Sequence, residues 1–269
     1  MAELRTLALR AATLAGDMLV DGQAHVEQVG SKTSAVDVVT QMDVASEQLL
    51  VAHLMAKRPL DAVLGEEGGE RPGSSPVRWV IDPLDGTVNY LYGLPAWAVS
   101  VAAEWHGRAI AGAVVAPALD EAYHAGMGMG AVSDRAQREE YGRRIRVRPP
   151  AEMAQSLVGT GFGYLPERRG HQGDVLAPLL PEVRDIRRCG AAAVDLCWLA
   201  AGRLDAYFER GLQPWDRAAG VLIAREAGAI VTGSDGGEPD GEFTLGASGP
   251  ELHEQLLQRL TGLGAHIGP

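Results

Sequence analysis

Apolar residues recur along this chain in two rhythms. Leu4, Leu7, Ala8, Ala11, Leu14, Ala15 and Met18 fall three and four residues apart, which predicts an amphipathic helix over residues 2–20. Residues 21–36 lose that rhythm, and Gly30-Ser31-Lys32-Thr33-Ser34 reads as a mobile loop. Thr40-Gln41-Met42-Asp43 has the form of a capping box, and Val44, Leu49, Leu50 and Leu54 continue it as a second helix ending near Pro59. From residue 62 the period shortens. Ala62-Val63-Leu64-Gly65 reads as a short strand, residues 71–76 as a loop, and residues 77–82 as a buried strand. Alternation at Trp97, Val99, Val101, Ala103 and Trp105, a turn at His106-Gly107-Arg108, a return over 109–116 and a third strand from Tyr123 predict an antiparallel meander. Residues 134–144 are charged and read as solvated. Ile145 and Val147 read as an edge strand closed by Pro149-Pro150.

The second half changes pattern. Strand-like segments at 157–159, 183–186, 204–208, 230–231 and 243–247 alternate with helical ones at 168–180, 191–201, 215–227 and 250–262. Such alternation favours a layered α/β arrangement. No internal repeat and no long linker divides the chain.

Composition narrows the function. The 269 residues suffice for one large domain or two joined halves, and 46% hydrophobic residues is ordinary for a globular protein. A net charge of −11 argues against nucleic-acid and anionic-membrane binding, because it repels phosphate backbones. A small anionic substrate stays possible, since a bound cation inverts the local field. No apolar run reaches membrane-spanning length, and Glu3, Arg5, Arg10 and Asp17 break any signal-peptide core. Cys189 and Cys197, the two cysteines, read as reduced core residues, so the cytoplasm is the expected location.

The chemistry concentrates in Trp79-Val80-Ile81-Asp82-Pro83-Leu84-Asp85-Gly86-Thr87-Val88-Asn89-Tyr90. An apolar strand delivers two aspartates to its end, and a helix starts just after. Two hard anionic ligands beside free N–H groups suit a divalent cation and a phosphate together. Glu66 and Asp216 also stand at element ends. Each has a plainer alternative: a solvated loop carboxylate for Glu66, a helix N-terminal charge for Asp216, and a simple turn for Asp82 with Asp85.

Asp82-Pro83-Leu84-Asp85-Gly86-Thr87, preceded by Gly65-Glu66-Glu67 and followed by Pro214-Trp215-Asp216-Arg217-Ala218-Ala219-Gly220, resembles the inositol monophosphatase family. The resemblance spans nearly the whole chain. It implies an αβαβα sandwich, usually in a homodimer, and Mg²⁺-dependent hydrolysis of a phosphate monoester, inhibited by lithium in many members. On that pattern residues 1–269 form one domain, with a metal-site half at 1–150 and a substrate-reading α/β half at 151–269.

The resemblance also implies roles. Glu66, Asp82 and the Leu84 carbonyl would hold one Mg²⁺. Asp82 would bridge to a second, completed by Asp85 and Asp216, and a third, weaker ion would lean on Glu66. Leu84 stands where the family most often has Ile, a change that leaves the carbonyl intact. Thr87 would position the water, with Glu66 or Asp43 behind it, against the plainer readings of Thr87 as a helix cap and Asp43 as the acid of its capping box. Gly86 and Thr87 would offer N–H groups to the phosphate. Arg188-Cys189-Gly190-Ala191-Ala192-Ala193 resembles the family's substrate-reading element, in which Gly190, Ala191 and Ala192 would face the alcohol. Ala191 replaces the common Ser or Thr there, so one hydroxyl is missing. Glu209 matches the glutamate that accepts from polyol hydroxyls. Lys32 would sit near the mouth of the site or simply be solvated, Arg184, Arg187 and Arg188 read as structural or as a subunit contact, and Asp195 has no evident role. Inositol 1-phosphate is the leading substrate. Histidinol phosphate, fructose 1,6-bisphosphate and 3′-phosphoadenosine 5′-phosphate are the alternatives.

Overall fold

The computed structural model describes residues 1–31, 38–149, 151–239 and 241–268. Lys32, Thr33 and Ser34 lie outside the described residues. The first half runs α1 (Ala2–Gly22), β1 (Gln28–Ser31), β2 (Val38–Thr40), α2 (Gln41–Lys57), β3 (Ala62–Gly65), β4 (Gly69–Arg71), β5 (Val77–Asp85) and α3 (Thr87–Leu91). The meander follows as β6 (Ala98–Trp105), β7 (Arg108–Ala116), β8 (Glu121–Gly126), β9 (Ala131–Arg135) and β10 (Glu140–Arg144). The second half adds β11 (Leu157–Thr160), α4 (Pro166–Leu179), β12 (Asp185–Arg187), α5 (Ala192–Ala200), β13 (Ala206–Glu209) and α6 (Pro214–Glu226). It closes with β14 (Ile230–Thr232), β15 (Thr244–Ala247) and α7 (Pro250–Gly262).

These elements stack in five layers. The large sheet has the order β10-β9-β8-β7-β6-β5-β3-β4, antiparallel except where β3 runs parallel to β5. The small sheet has the order β12-β11-β13-β15-β14. Strand alternation sends successive side chains to opposite faces. In β5, Trp79 and Ile81 pack with Ala8, Ala11, Ala15, Leu50 and Leu54 of α1 and α2, while Val80 points to the other face. There it joins Leu196, Leu199, Ala219 and Ile223 of α5 and α6, which also meet Tyr207 and Val231 of the small sheet. Gly220 allows the two middle helices to close, since a Cβ at that position would lie 2.8 Å from Leu196. On the outer face Val158, Ala206, Phe208 and Leu245 pack with Val175 and Leu179 of α4 and Leu252 and Leu256 of α7. The result is the αβαβα sandwich that the resemblance implied. No helix among the described residues is long and apolar enough to cross a membrane, and Cys189 and Cys197 are both free thiols.

Three local expectations change. Part of the stretch read as a loop, Gln28–Ser31, pairs with Val38–Thr40. The strand expected to stop at residue 82 runs to Asp85, because a bulge between Asp82 and Asp85 absorbs Pro83, which has no N–H to give to β6. The charged stretch supplies the edge strand β10, exposed along its whole length, which pairs with β9. Ile145 and Val147 lie beyond it; the N–H of Ile145 donates to Ala131 and that of Val147 to Ala227. An edge strand whose five residues are all exposed, Tyr141 among them, has no apolar face to bury, so no hydrophobic alternation marks it.

Candidate active site

The bulge in β5 opens the site. Asp82 is 1% exposed, and its Oδ1 accepts the Leu84 N–H at 3.0 Å, an Asx-type turn that fixes Pro83-Leu84. Ser46 of α2 donates to the Pro83 carbonyl at 2.8 Å. Gly86 follows with φ 89°, a left-handed residue that turns the chain into α3. A Cβ there would meet the Ala96 carbonyl at 2.9 Å, so the position has neither the angle nor the room for a side chain.

Thr87 is the first helical residue, and its hydroxyl oxygen lies 2.9 Å from Asp43 Oδ1 and 3.1 Å from the Leu84 carbonyl. Both are acceptors, and the hydroxyl has one proton to share between them. Asp43 is fully buried, and its Oδ2 accepts the Thr40 N–H at 2.8 Å and the Thr40 hydroxyl at 2.5 Å. One carboxylate therefore closes the capping box with one oxygen and holds Thr87 with the other.

Residues distant in sequence meet here. A cavity of ≈ 490 Å³ is lined by Glu66, Asp82, Leu84, Asp85, Gly86 and Thr87 from the first half. Gly190, Ala191, Ala192, Glu209 and Asp216 line it from the second. Asp216 ends up there because Pro214 starts α6 and Asp216 Oδ2 caps the Gln213 N–H at 2.7 Å. Ser100 of β6 ties this turn down through the Trp215 carbonyl, at 3.2 Å. Asp85 Oδ2 accepts the N–H of Ala193 at 2.7 Å, so the positive end of α5 is turned onto a carboxylate. Glu209 takes the Tyr207 hydroxyl on Oε2 at 2.5 Å.

The electrostatics are unbalanced. Burial pushes the Asp85 carboxyl up to about 7; repulsion from Glu209 and Glu66 adds to the rise, and the Ala193 N–H opposes it. Burial, then Asp85 and Glu66, push Asp216 well above the usual carboxylate range. Burial raises Glu209 as well. Asp85 and Asp216 repel each other and are repelled by Glu66 and Glu209, Arg188 offsets the charge at Glu209, and the donors these carboxylates offer are all hard oxygens. A divalent cation of the hard class fits that set. Among the described residues no group of three or more His, Cys, Asp or Glu side chains is already closed around an ion position.

Some participants carry no sequence signal. Asn89 donates to the Ala96 and Cys189 carbonyls, at 2.6 and 2.8 Å, and so ties α3 to the segment that leads into α5. Ala193 acts through its backbone. Helix α5 begins at Ala192, one residue later than expected, and its second N–H is spent on Asp85 rather than on the cavity. Arg188 lines the cavity with its guanidinium 5.9 Å from the Phe162 ring centroid. Arg184 Nε donates to the Gln155 carbonyl, and Arg187 pairs with Asp185. Asp195 is 1% exposed, and burial pushes its carboxyl well above the usual range.

The chain matches the model of the inositol monophosphatase family over residues 1–264. The chain belongs to the inositol monophosphatase family. Its enzyme class is that of the phosphoric monoester hydrolases. An inositol-1-monophosphatase of Mycobacterium bovis is 46% identical over 244 residues, 87% of this chain and 83% of that one. Nus factor SuhB of Vibrio cholerae is 38% identical over 264 residues, 97% of this chain and 96% of that one. A solved IMPase structure from Thermotoga maritima superposes with a TM-score of 0.88 at 30% identity, covering 100% of both chains. These family members are metal-dependent as a group, and their fold is the one described above.

Proposed function

We propose that this protein is a Mg²⁺-dependent phosphatase of phosphorylated polyols, with inositol 1-phosphate as the leading substrate. The observation that carries the proposal is that Glu66, Asp82, Leu84, Asp85 and Asp216 line one cavity together with Thr87. Residues 1–269 act as one domain in this reading, since both halves furnish the cavity walls.

Glu66, Asp82, Asp85, Asp216 and the Leu84 carbonyl would hold two to three Mg²⁺ ions. Bound Mg²⁺ supplies positive charge to the phosphate and makes a nearby water more acidic. The remaining work falls to the chain. Thr87 donates a hydrogen bond to Asp43 Oδ1, which leaves the hydroxyl oxygen free to accept one from the attacking water. Asp43 stays fixed because Thr40 occupies its other oxygen. Gly86 keeps the backbone bare where the phosphate approaches. At the far wall Glu209, steadied by Tyr207, accepts from a substrate hydroxyl. Gly190, Ala191 and Ala192 shape the same wall, and no hydroxyl at 191 adds a contact. Lithium would inhibit by competing for a cation position.

Replacing Asp82 with Asn tests the reading. Phosphate release from inositol 1-phosphate should fall by more than the roughly 10–100-fold typical of losing an outer partner of a metal ligand. Undiminished activity at the same Mg²⁺ requirement would sink the mechanism. A panel with histidinol phosphate, fructose 1,6-bisphosphate and 3′-phosphoadenosine 5′-phosphate tests the substrate separately. Relatives named Nus factor SuhB favour a second reading, in which a surface of the fold also serves a transcription complex. With a net charge of −11 such a role would run through a protein partner, and Asp82→Asn would leave it intact.

A further inference from the structure

One face of α2 carries Asp43, Ser46 and Glu47, spaced to lie side by side and all buried. Asp43 holds Thr87 and Ser46 holds Pro83. Glu47, 7% exposed, holds something the mechanism above does not use. Its Oε2 accepts the N–H of Glu67 at 2.8 Å, and its Oε1 accepts the N–H of Gly68 at 2.6 Å. These two amides belong to the three-residue turn, 66–68, that joins β3 to β4 and presents Glu66 to the cavity.

The turn is shaped to receive that carboxylate. A Cβ on Gly65 would lie 2.5 Å from Glu47 Oε2, and one on Gly68 would lie 2.6 Å from Oε1. Neither glycine has a positive φ, so neither is there for its backbone angles. Both are there for room. Gly69 closes the hairpin in the left-handed region at φ 70°, and that position needs glycine for a different reason. Two charge-assisted hydrogen bonds and two absent side chains thus converge on one buried carboxylate. Their joint effect is to pin the backbone on the C-terminal side of Glu66, while Gly65 in the ladder to Ile81 pins the N-terminal side.

We propose that Glu47 is a positioning residue for the metal site: it fixes the Glu66 turn so that the Glu66 carboxylate is presented to the ion at a set place. The proposal rests on the reading of Glu66 as a metal ligand. It extends to Gly65 and Gly68, whose bare Cα atoms are part of the same device. Helix α2 then serves as a template whose buried polar stripe places Thr87, the Asp82–Asp85 bulge and Glu66 relative to one another. The lower part of the same stripe, Leu50 and Leu54, seats the helix on the core.

The test uses Mn²⁺ alone, a hard ion of the same donor preference, titrated against the full chain without substrate and followed by electron paramagnetic resonance. It is run at a temperature where circular dichroism shows every variant folded. Glu47→Ala should weaken Mn²⁺ binding by about 10–100-fold, as loss of an outer hydrogen-bonding partner of a metal ligand does. Glu47→Gln should fall on the same side, because an amide has one acceptor oxygen for two N–H groups. Gly68→Ala should weaken binding without any change of charge, by displacing the carboxylate. The double variant Glu47→Ala/Gly68→Ala should be no weaker than Glu47→Ala, since the methyl then enters space already emptied. Glu70→Gln, a carboxylate on the same hairpin at 63% exposure, should stay within about twofold of wild type. Glu66→Gln calibrates the assay. Wild-type binding by Glu47→Ala and Gly68→Ala alongside weakened binding by Glu66→Gln overturns the positioning role. Wild-type binding by Glu66→Gln removes Glu66 as a ligand and overturns the proposal with it.

Discussion

The two ends of the cavity are built differently. At the carboxylate end every wall is tied down: a capping box joins Thr40 to Asp43, a second joins Gln213 to Asp216, and Ser46, Ser100 and the Ala193 N–H each hold a separate segment. At the alcohol end the walls include Phe162, Tyr164 and Leu165 on the loop before α4, Arg168 in its first turn and Arg188 ahead of α5, several of them exposed. Leu165 is the N-cap of α4 and Ala191 that of α5, and neither cap side chain makes a hydrogen bond. A reaction that needs atoms at fixed places is therefore set on capped helices and a bulged strand. The part that would tell one alcohol from another is set around two helix starts without side-chain caps, and its ties run instead through backbone groups, with the Gly163 N–H donating to Gln172 and the Tyr164 carbonyl accepting from Arg169. Chemistry and selectivity should then respond to substitution independently.

The sharpest way to break that contrast is Thr87→Ala. It removes the hydroxyl that Asp43 aligns, and kcat should drop by about 10²–10⁴-fold for every phosphate monoester alike, with Thr87→Ser keeping most of the activity. Steady-state kinetics on inositol 1-phosphate and on an aryl phosphate checks it. A loss confined to one of the two substrates would mean that the carboxylate end also reads the alcohol.

The next effect is on stability. Asp61 sits 2% exposed just before β3, and takes hydrogen bonds from Arg58 at 2.8 Å, Trp79 at 3.0 Å and Ser75 at 2.5 Å. Burial alone would raise its carboxyl, but those three donors overcome burial and hold it below the usual carboxylate range. Its stabilising contribution is thus complete above the unfolded pKa and is lost as pH falls through the folded one. Asp61→Asn should cost about 2 kcal/mol of unfolding free energy at pH 7, and the gap to wild type should shrink below about pH 4. Urea unfolding across that range decides it; a gap that stays constant with pH contradicts the account. KM should not move, because Asp61 anchors the strands behind the site and touches neither end of the cavity.

At the alcohol end Glu209→Gln should raise KM for inositol 1-phosphate by about tenfold while leaving an aryl phosphate, which has no hydroxyl to offer, nearly unchanged. Equal losses on both would place Glu209 in the chemistry instead of in recognition.

How much of this was legible in the sequence follows the same division. The helices at 2–20 and 250–262 show in apolar spacing because each buries one face against a single layer, and the strands of the meander show in period-two alternation between large and small apolar residues although β6 is buried on both faces. The capping box at Thr40–Asp43 can be read from residue types alone, and so can Asp82-Pro83-Leu84-Asp85-Gly86-Thr87 as the end of a strand and the start of a helix. Proximity cannot be read in this way. Nothing local to Asp85 announces the Ala193 amide 108 residues later, nor does anything in Asn89 announce the Cys189 carbonyl. Glu47 looks like any helix glutamate until the Glu67 and Gly68 amides are seen on it. Backbone donors have no residue type, so contacts made through them leave no pattern to find. The charged edge strand β10 escaped for the opposite reason: it has residue types in plenty but no buried face.

The smallest expected effect bears on the uncapped start of α4 at the alcohol end. Leu165 is the N-cap of α4, 41% exposed, and lines the cavity without capping anything. The first amides of that helix have no side-chain acceptor at this position, and Pro166 at its first turn removes one donor. Leu165→Ser would supply the missing acceptor and should raise stability by about 0.5–1 kcal/mol, read as a higher midpoint in urea. If the uncapped start of α4 lets this wall adapt to its alcohol, the capped variant should keep kcat on inositol 1-phosphate but separate the substrates of the panel more widely, with KM rising for the poorer ones. If KM values move together or not at all, the missing cap has no part in selectivity, which then resides in the Glu209 wall. Because the change adds a hydrogen bond at the protein's surface and removes nothing from the carboxylate end, either outcome reads the alcohol end alone.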